Sequence, residues 1–121
     1  MTDEITLTLP RGQDYQTVAH LVLGGLAARL GLTLEHLEDL QLALGAVMAQ
    51  GADASGEFTL RLRVDDDSLE ALIEPVGARV LDEVERETDE LGLRRVLEST
   101  VDDIQVDGNA IRLTKKVVTN A

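Results

Sequence analysis

The run Phe58-Thr-Leu-Arg-Leu-Arg-Val64, the acidic turn Asp65-Asp-Asp-Ser68 and the return Leu69-Glu-Ala-Leu-Ile73 decide the architecture. Apolar side chains at 58, 60, 62 and 64 alternate with Thr59, Arg61 and Arg63, which is the period of a strand with one face buried and one face wet. Three aspartates and a serine then turn the chain, so Leu69 to Ile73 reads as the returning strand. Glu74-Pro75-Val76-Gly77 ends it, because proline removes a backbone donor and glycine releases the chain.

Working outward, Ile5, Leu7 and Leu9 alternate with threonines until Pro10-Arg11-Gly12, a first short strand and its exit. Asp14 is placed to cap a helix in which Val18, Val22, Leu26 and Leu30 form the inward stripe, with Leu21 beside it and Ala19, Leu23 and Ala27 flanking. Arg29-Leu-Gly31 closes that helix and Thr33 caps the next, where Leu37, Leu40, Leu44 and Val47 face inward and Gly51 marks the end. Residues 51–56 read as a loop by composition. Beyond the central hairpin, residues 78–90 hold eight charged side chains, with Val80, Leu81 and Val84 as a thin apolar edge, and read as a short solvated helix. Leu93, Val96, Leu97 and Val101 recur at helical spacing. Ile104-Gln-Val106 and Ile111-Arg-Leu113 then flank Asp107-Gly108-Asn109, a strong hairpin signal.

Hairpin-linked strands segregated from helices predict one domain over residues 1–121. The class is α+β: a two-layer sandwich with a mostly antiparallel or mixed sheet covered on one face by three helices. The expected core comprises Leu7, Val22, Leu26, Leu40, Leu44, Leu62, Ile73, Leu93, Val96, Leu97, Val106 and Leu113. A chain of 121 residues suits a single core, and with Tyr15 and Phe58 as its two aromatics that core is aliphatic. Eleven basic against 23 acidic residues give a net charge of −12, which repels phosphate backbones, so no nucleic-acid partner is expected. The absence of cysteine excludes disulfides, thiolate catalysis and cysteine-ligated zinc. His20 and His36 lie in different helices without metal-site spacing and read as surface or boundary imidazoles, so no metal site is assigned. The start Met1-Thr-Asp-Glu4 carries no basic leader, and no apolar run reaches the ~20 residues of a membrane span. A cytoplasmic location without a membrane partner is the expectation.

Tyr15 to Gln50, with Leu37-Glu-Asp-Leu-Gln-Leu-Ala-Leu44 near its end, resembles the first two helices of the small anti-sigma factor serine kinases of bacteria. Glu90-Leu-Gly-Leu-Arg-Arg-Val-Leu-Glu-Ser-Thr-Val-Asp-Asp-Ile-Gln-Val-Asp-Gly108, with Ile111-Arg-Leu-Thr-Lys-Lys116, is similar to that family's last helix and hairpin. The family belongs to the GHKL ATPases, whose Bergerat fold is shared with histidine kinases and gyrase. Element order and length match as well, so the resemblance covers nearly the whole chain.

The resemblance implies a nucleotide site whose motifs this chain alters together. Where such kinases carry a general-base glutamate and, four residues on, a magnesium-holding asparagine, this helix has Ala46 and Gln50. Alanine accepts no proton, and Gln50 displaces its amide oxygen by one methylene. The family's Asp-x-Gly-x-Gly becomes Glu74-Pro75-Val76-Gly77-Ala78, with Glu74 as the surviving acid and side chains added where backbone approached nucleotide. Gly-x-Gly-Leu becomes Glu90-Leu91-Gly92-Leu93, retaining Gly92 but putting a carboxylate beside a phosphate site. The final Gly-Thr becomes Asn109-Ala110. Gln50, Glu74, Gly77 and Gly92 are therefore the remnant nucleotide-site positions, and no catalytic residue is assigned.

A scaffold kept while its chemistry is lost implies a pseudokinase: a non-catalytic regulatory module, without cofactor, that binds a protein such as a sigma factor or a STAS-domain antagonist. A homodimer is a further implication of the family. The alternatives from other classes are an active serine kinase using ATP and magnesium on a STAS-domain antagonist, and an unrelated α+β assembly protein. Steering by the acidic segments toward a basic partner surface is also expected.

Overall fold

The computed structural model describes residues 3–50, 56–65, 67–85 and 92–116. These form strands β1 (Asp3–Pro10), β2 (Glu57–Val64), β3 (Ser68–Glu74), β4 (Asp103–Asp107) and β5 (Ala110–Lys116). The helices are α1 (Gln13–Leu30), α2 (Leu34–Gln50), α3 (Ala78–Glu85) and α4 (Leu93–Thr100). One sheet runs in the order β1-β2-β3-β5-β4, and every neighbouring pair is antiparallel.

Register explains why one face is buried. Ile5, Leu62, Ala71, Leu113 and Ile104 lie side by side across all five strands, as do Leu7, Leu60, Ile73, Ile111 and Val106. Because side chains alternate, these two rows share the face that packs under the helices, and Leu60, Leu62, Leu69 and Ile111 are fully buried there. The intervening rows, Thr6-Arg61-Leu72-Arg112-Gln105 and Thr8-Thr59-Glu74, share the opposite, polar face. Ion pairs lace that face: Arg112 Nε to Glu70 at 3.1 Å, Arg112 to Asp107 at 3.7 Å and Arg61 to Glu74 at 3.6 Å. The α+β two-layer sandwich expected from the pattern is the fold observed.

Some details differ from the sequence reading. The acidic segment, read as a solvated helix beside three covering ones, holds α3, whose Val80 and Val84, one turn apart, are both buried and dock it on the core as a fourth. Glu83, read as solvated, is half-buried, with Oε2 lacking a partner among the described residues. In α1 the inward stripe is Ala19, Leu23, Leu26 and Ala27, while Val18 and Leu21 point to solvent and Val22 and Leu30 are half-buried. This helix is apolar on most sides, so sequence spacing admits several stripes. Packing selects the one whose alanines allow close approach.

Of the expected core, Leu26, Leu40, Leu44, Leu62, Ile73, Leu93, Leu97 and Leu113 are buried; Leu7, Val22 and Val106 pack half-buried against it, and Val96 is half-buried on α4. The cap of α1 is Gly12, with no side-chain cap bond, and Asp14 instead sits in the first turn where the helix dipole favours an acid. Thr33 does cap α2, its Oγ1 accepting from His36 N–H at 3.1 Å. Gly31 ends α1 at φ +69°, a left-handed conformation that side chains resist, and donates to Ala27 C=O. The expected end at Gly51, the loop at 51–55, Asp66 and the acidic stretch 86–91 lie outside the described residues.

One polar joint ties the layers. Lys115 Nζ, on an inward position of β5, donates to Asp39 of α2 at 3.1 Å and to the Thr100 carbonyl at the end of α4 at 2.9 Å. The cation thus satisfies both a carboxylate and a helix C-terminal carbonyl.

Candidate functional site

Three remote pieces of chain meet where β3 ends. Ile73 is the last inward residue, and a cis Glu74–Pro75 bond follows. Val76 N–H donates to the Asn109 carbonyl of the β4–β5 turn at 2.7 Å, and the Arg11 guanidinium at the exit of β1 donates to the Pro75 carbonyl. Gly77 then opens α3, its carbonyl accepting from Val80 at 3.0 Å and Leu81 at 3.1 Å. Beneath this junction is a cavity of about 30 Å³ walled mainly by Val47, Met48, Phe58, Ile73, Val76 and Val80, with Arg11, Gly12, Pro75 and Gly77 at its edge. Space of that size admits about one water molecule. Val76 and Val80 are themselves buried, so this corner of the fold is closed with aliphatic side chains.

Of the four positions singled out from sequence, Gly77 and Glu74 lie on opposite sides of the sheet. Gly77 borders the cavity. Glu74 belongs to the outward row of β3, where it pairs with Arg61 on the solvent face of the sheet, away from the helices. Strand alternation forces this: Ile73 faces in, so its neighbour faces out. Gly92 precedes α4 and accepts from Arg95 N–H at 3.0 Å and Val96 N–H at 3.3 Å, which uses its carbonyl within the helix. Gln50 is the last residue of α2, and its side chain lies outside the described residues. Asn109 does meet the β3 exit, through its backbone carbonyl.

Ala46 faces elsewhere. Together with His20, Glu38, Gln41, Leu42 and Gly45 it lines an open groove between α1 and α2. Gln41 Nε2 reaches the His20 carbonyl at 3.4 Å across the helix pair. The His20 ring lies against Gly45, where an added Cβ would stand 3.3 Å from Nε2, and that buried nitrogen has no hydrogen-bond partner among the described residues. Sequence reasoning gave His20 no role and passed over Arg11. The signals were Gly45, a side-chain-free position in mid-helix, and a lone cation between Pro10 and Gly12.

Sequence comparison finds serine-protein kinases. An 83-residue stretch is 31% identical to the serine-protein kinase RsbW of Listeria innocua, covering 64% of this chain and 53% of that protein. The RsbW kinase of Bacillus subtilis is 30% identical over 81 residues, 62% of this chain and 51% of its own. That of Oceanobacillus iheyensis is 30% identical over 93 residues, 71% and 59% respectively. The chain spans about half the length of the curated relatives it matches. No protein-family model matches it. The kinship with anti-sigma factor serine kinases of the GHKL class, implied by the residues, is thereby shown.

Proposed function

We propose that this relative of the serine-protein kinases is a regulatory module that acts by holding a protein partner and does not transfer phosphate. The observation that carries the reading is the junction after β3, where Val76 and Val80 are buried over a cavity of about 30 Å³. Relatives need glycine-lined space there for a nucleotide, and the residues present do not fit one. Ala46, which has no proton acceptor, supports the same conclusion at the position of the base. Glu74 offers no adenine contact from the far face of the sheet. A sigma factor or a STAS-domain antagonist is the partner class, in the cytoplasm, and the chain works as a homodimer as its family does. Among the described residues no helix is long and apolar enough to cross a membrane.

The second reading, an active kinase consuming magnesium-ATP, is favoured by the relatives' names alone. Calorimetric titration with magnesium-ATP separates the two. No saturable heat is expected, and the double variant Ala46→Glu, Gln50→Asn should remain inactive because the aliphatic closure persists. Micromolar binding by the native chain, or phosphate transfer to a partner serine by either protein, overturns the non-catalytic reading.

A further inference from the structure

We propose that the groove between α1 and α2 is the docking site for an amphipathic helix with basic flanks on a partner protein, an inference that rests on the partner-binding reading above. Among the described residues the exposed large apolar side chains are Tyr15, Val18, Leu21, Leu34 and Leu42, and all five sit on these two helices. Scattered apolar residues on a surface carry no message, but a gathering on two adjacent elements does. Leu34 and Leu42 are two turns apart on α2, and Leu21 directly follows the groove residue His20 on α1. Leu21 is 70% and Leu42 57% exposed.

Leu42 lines the furrow that Gly45, Ala46 and His20 floor. Two helical ridges with a small-residue furrow between them are the shape that receives a third helix. His20 Nε2 at its floor is a buried polar atom without a hydrogen-bond partner among the described residues. Charge selects the occupant. Asp14, Glu35 and Glu38 are exposed on these helices against Arg29, in a chain of net charge −12. An apolar strip with Glu38 in its lining and an acidic excess on its two helices complements an apolar helix edged with lysine or arginine. A second copy would set the same acidic excess against itself, which argues for a different protein.

The test uses the whole chain and a labelled synthetic helical peptide with leucines at i, i+3, i+4 and i+7 and lysines between, read by fluorescence anisotropy. Saturable binding is expected, weakened about tenfold by Leu42→Asp and by Leu21→Asp, each with an unchanged thermal midpoint. The sign is diagnostic, because either variant adds a negative charge that would tighten a purely electrostatic contact with a cation. Thr8→Asp on the outer face of the sheet adds the same charge and should not weaken binding. A scrambled peptide of the same composition should bind about tenfold more weakly. Absent binding, equal binding of the scrambled peptide, or affinity unchanged in both leucine variants overturns the proposal. A concentration-dependent dimer abolished by Leu42→Asp also overturns it, assigning the groove to a second copy. Each of these outcomes leaves the partner-binding reading standing, since that reading falls only if the same preparation binds and uses magnesium-ATP.

Discussion

Helix α2 has two unlike sides. Toward the sheet it presents Leu40, Ala43, Leu44, Val47 and Met48, all buried, and Val47 and Met48 help to wall the small aliphatic cavity under the β3 exit. Away from the sheet it presents Glu38, Gln41, Leu42, Gly45 and Ala46 along an open groove. Aliphatic packing fills the first side, and the second, which includes Ala46, stays open. One helix can thus serve the core on one side and leave the other side open, because packing and exposure draw on different residues of the same turn.

The largest expected effect breaks the inner side. Leu44 is 1% exposed, so Leu44→Ala should cost ~2–5 kcal/mol in urea unfolding, and Leu97→Ala on α4 the same. Leu42→Ala, two residues away on the groove side, should change stability by less than ~0.5 kcal/mol. Equal losses at 42 and 44 would erase the distinction between the two sides.

A smaller effect is expected where α2 joins the rest of the helical layer. Lys115→Ala removes the donor to Asp39 and to the Thr100 carbonyl from a side chain only 13% exposed. The loss should be ~1–3 kcal/mol, measured in the same way, because a carboxylate and a helix-end carbonyl are both left unpaired. Lys115→Arg tests whether the site needs a compact ammonium.

The groove side can be sharpened by filling its floor. Gly45→Ala should raise stability by ~0.5 kcal/mol, since alanine is the better helix former and the His20 ring has, among the described residues, no Nε2 hydrogen bond to lose when it yields to the new methyl. Destabilisation in thermal melts would mean the imidazole is held rigidly against the backbone.

The smallest effect on the fold concerns charge. Asp82 and Glu85 are the exposed acids of α3, while Glu83 is half-buried, and Glu87 lies outside the described residues. The pair Asp82→Lys, Glu85→Lys should leave the thermal midpoint unchanged yet slow association with a basic partner, the more so at low salt where screening exceeds ~10 Å. An on-rate indifferent to both salt and substitution would leave α3 as a solvated helix with no steering role.

Period-two alternation made β1, β2 and β3 legible, and the Asp-Gly-Asn turn did the same for β4 and β5, because strand side chains report the two faces of a sheet directly. The same alternation carries the correction at Glu74. Its acid character drew it into the nucleotide motif, but its parity with Thr59 and Arg61 puts it on the solvent face. In α1 the reading was less determinate, since Val18, Ala19, Val22, Leu23, Leu26 and Ala27 offer several apolar stripes and only the neighbour chooses among them. For α3 the charge count hid two valines that suffice to dock it.

The sequence by itself determined the α+β class, the antiparallel hairpins, the aliphatic core and the kinship with serine-protein kinases, because these depend on local periodicity, composition and residue order. Tertiary structure alone decided that Arg11, Pro75, Val76 and Asn109 meet, that Val76 and Val80 close the corner they enclose, and that Gly45 receives the His20 ring. Those contacts join residues from 25 to 64 positions apart. Which of them form depends on the summed packing of every layer, and no local spacing records that sum.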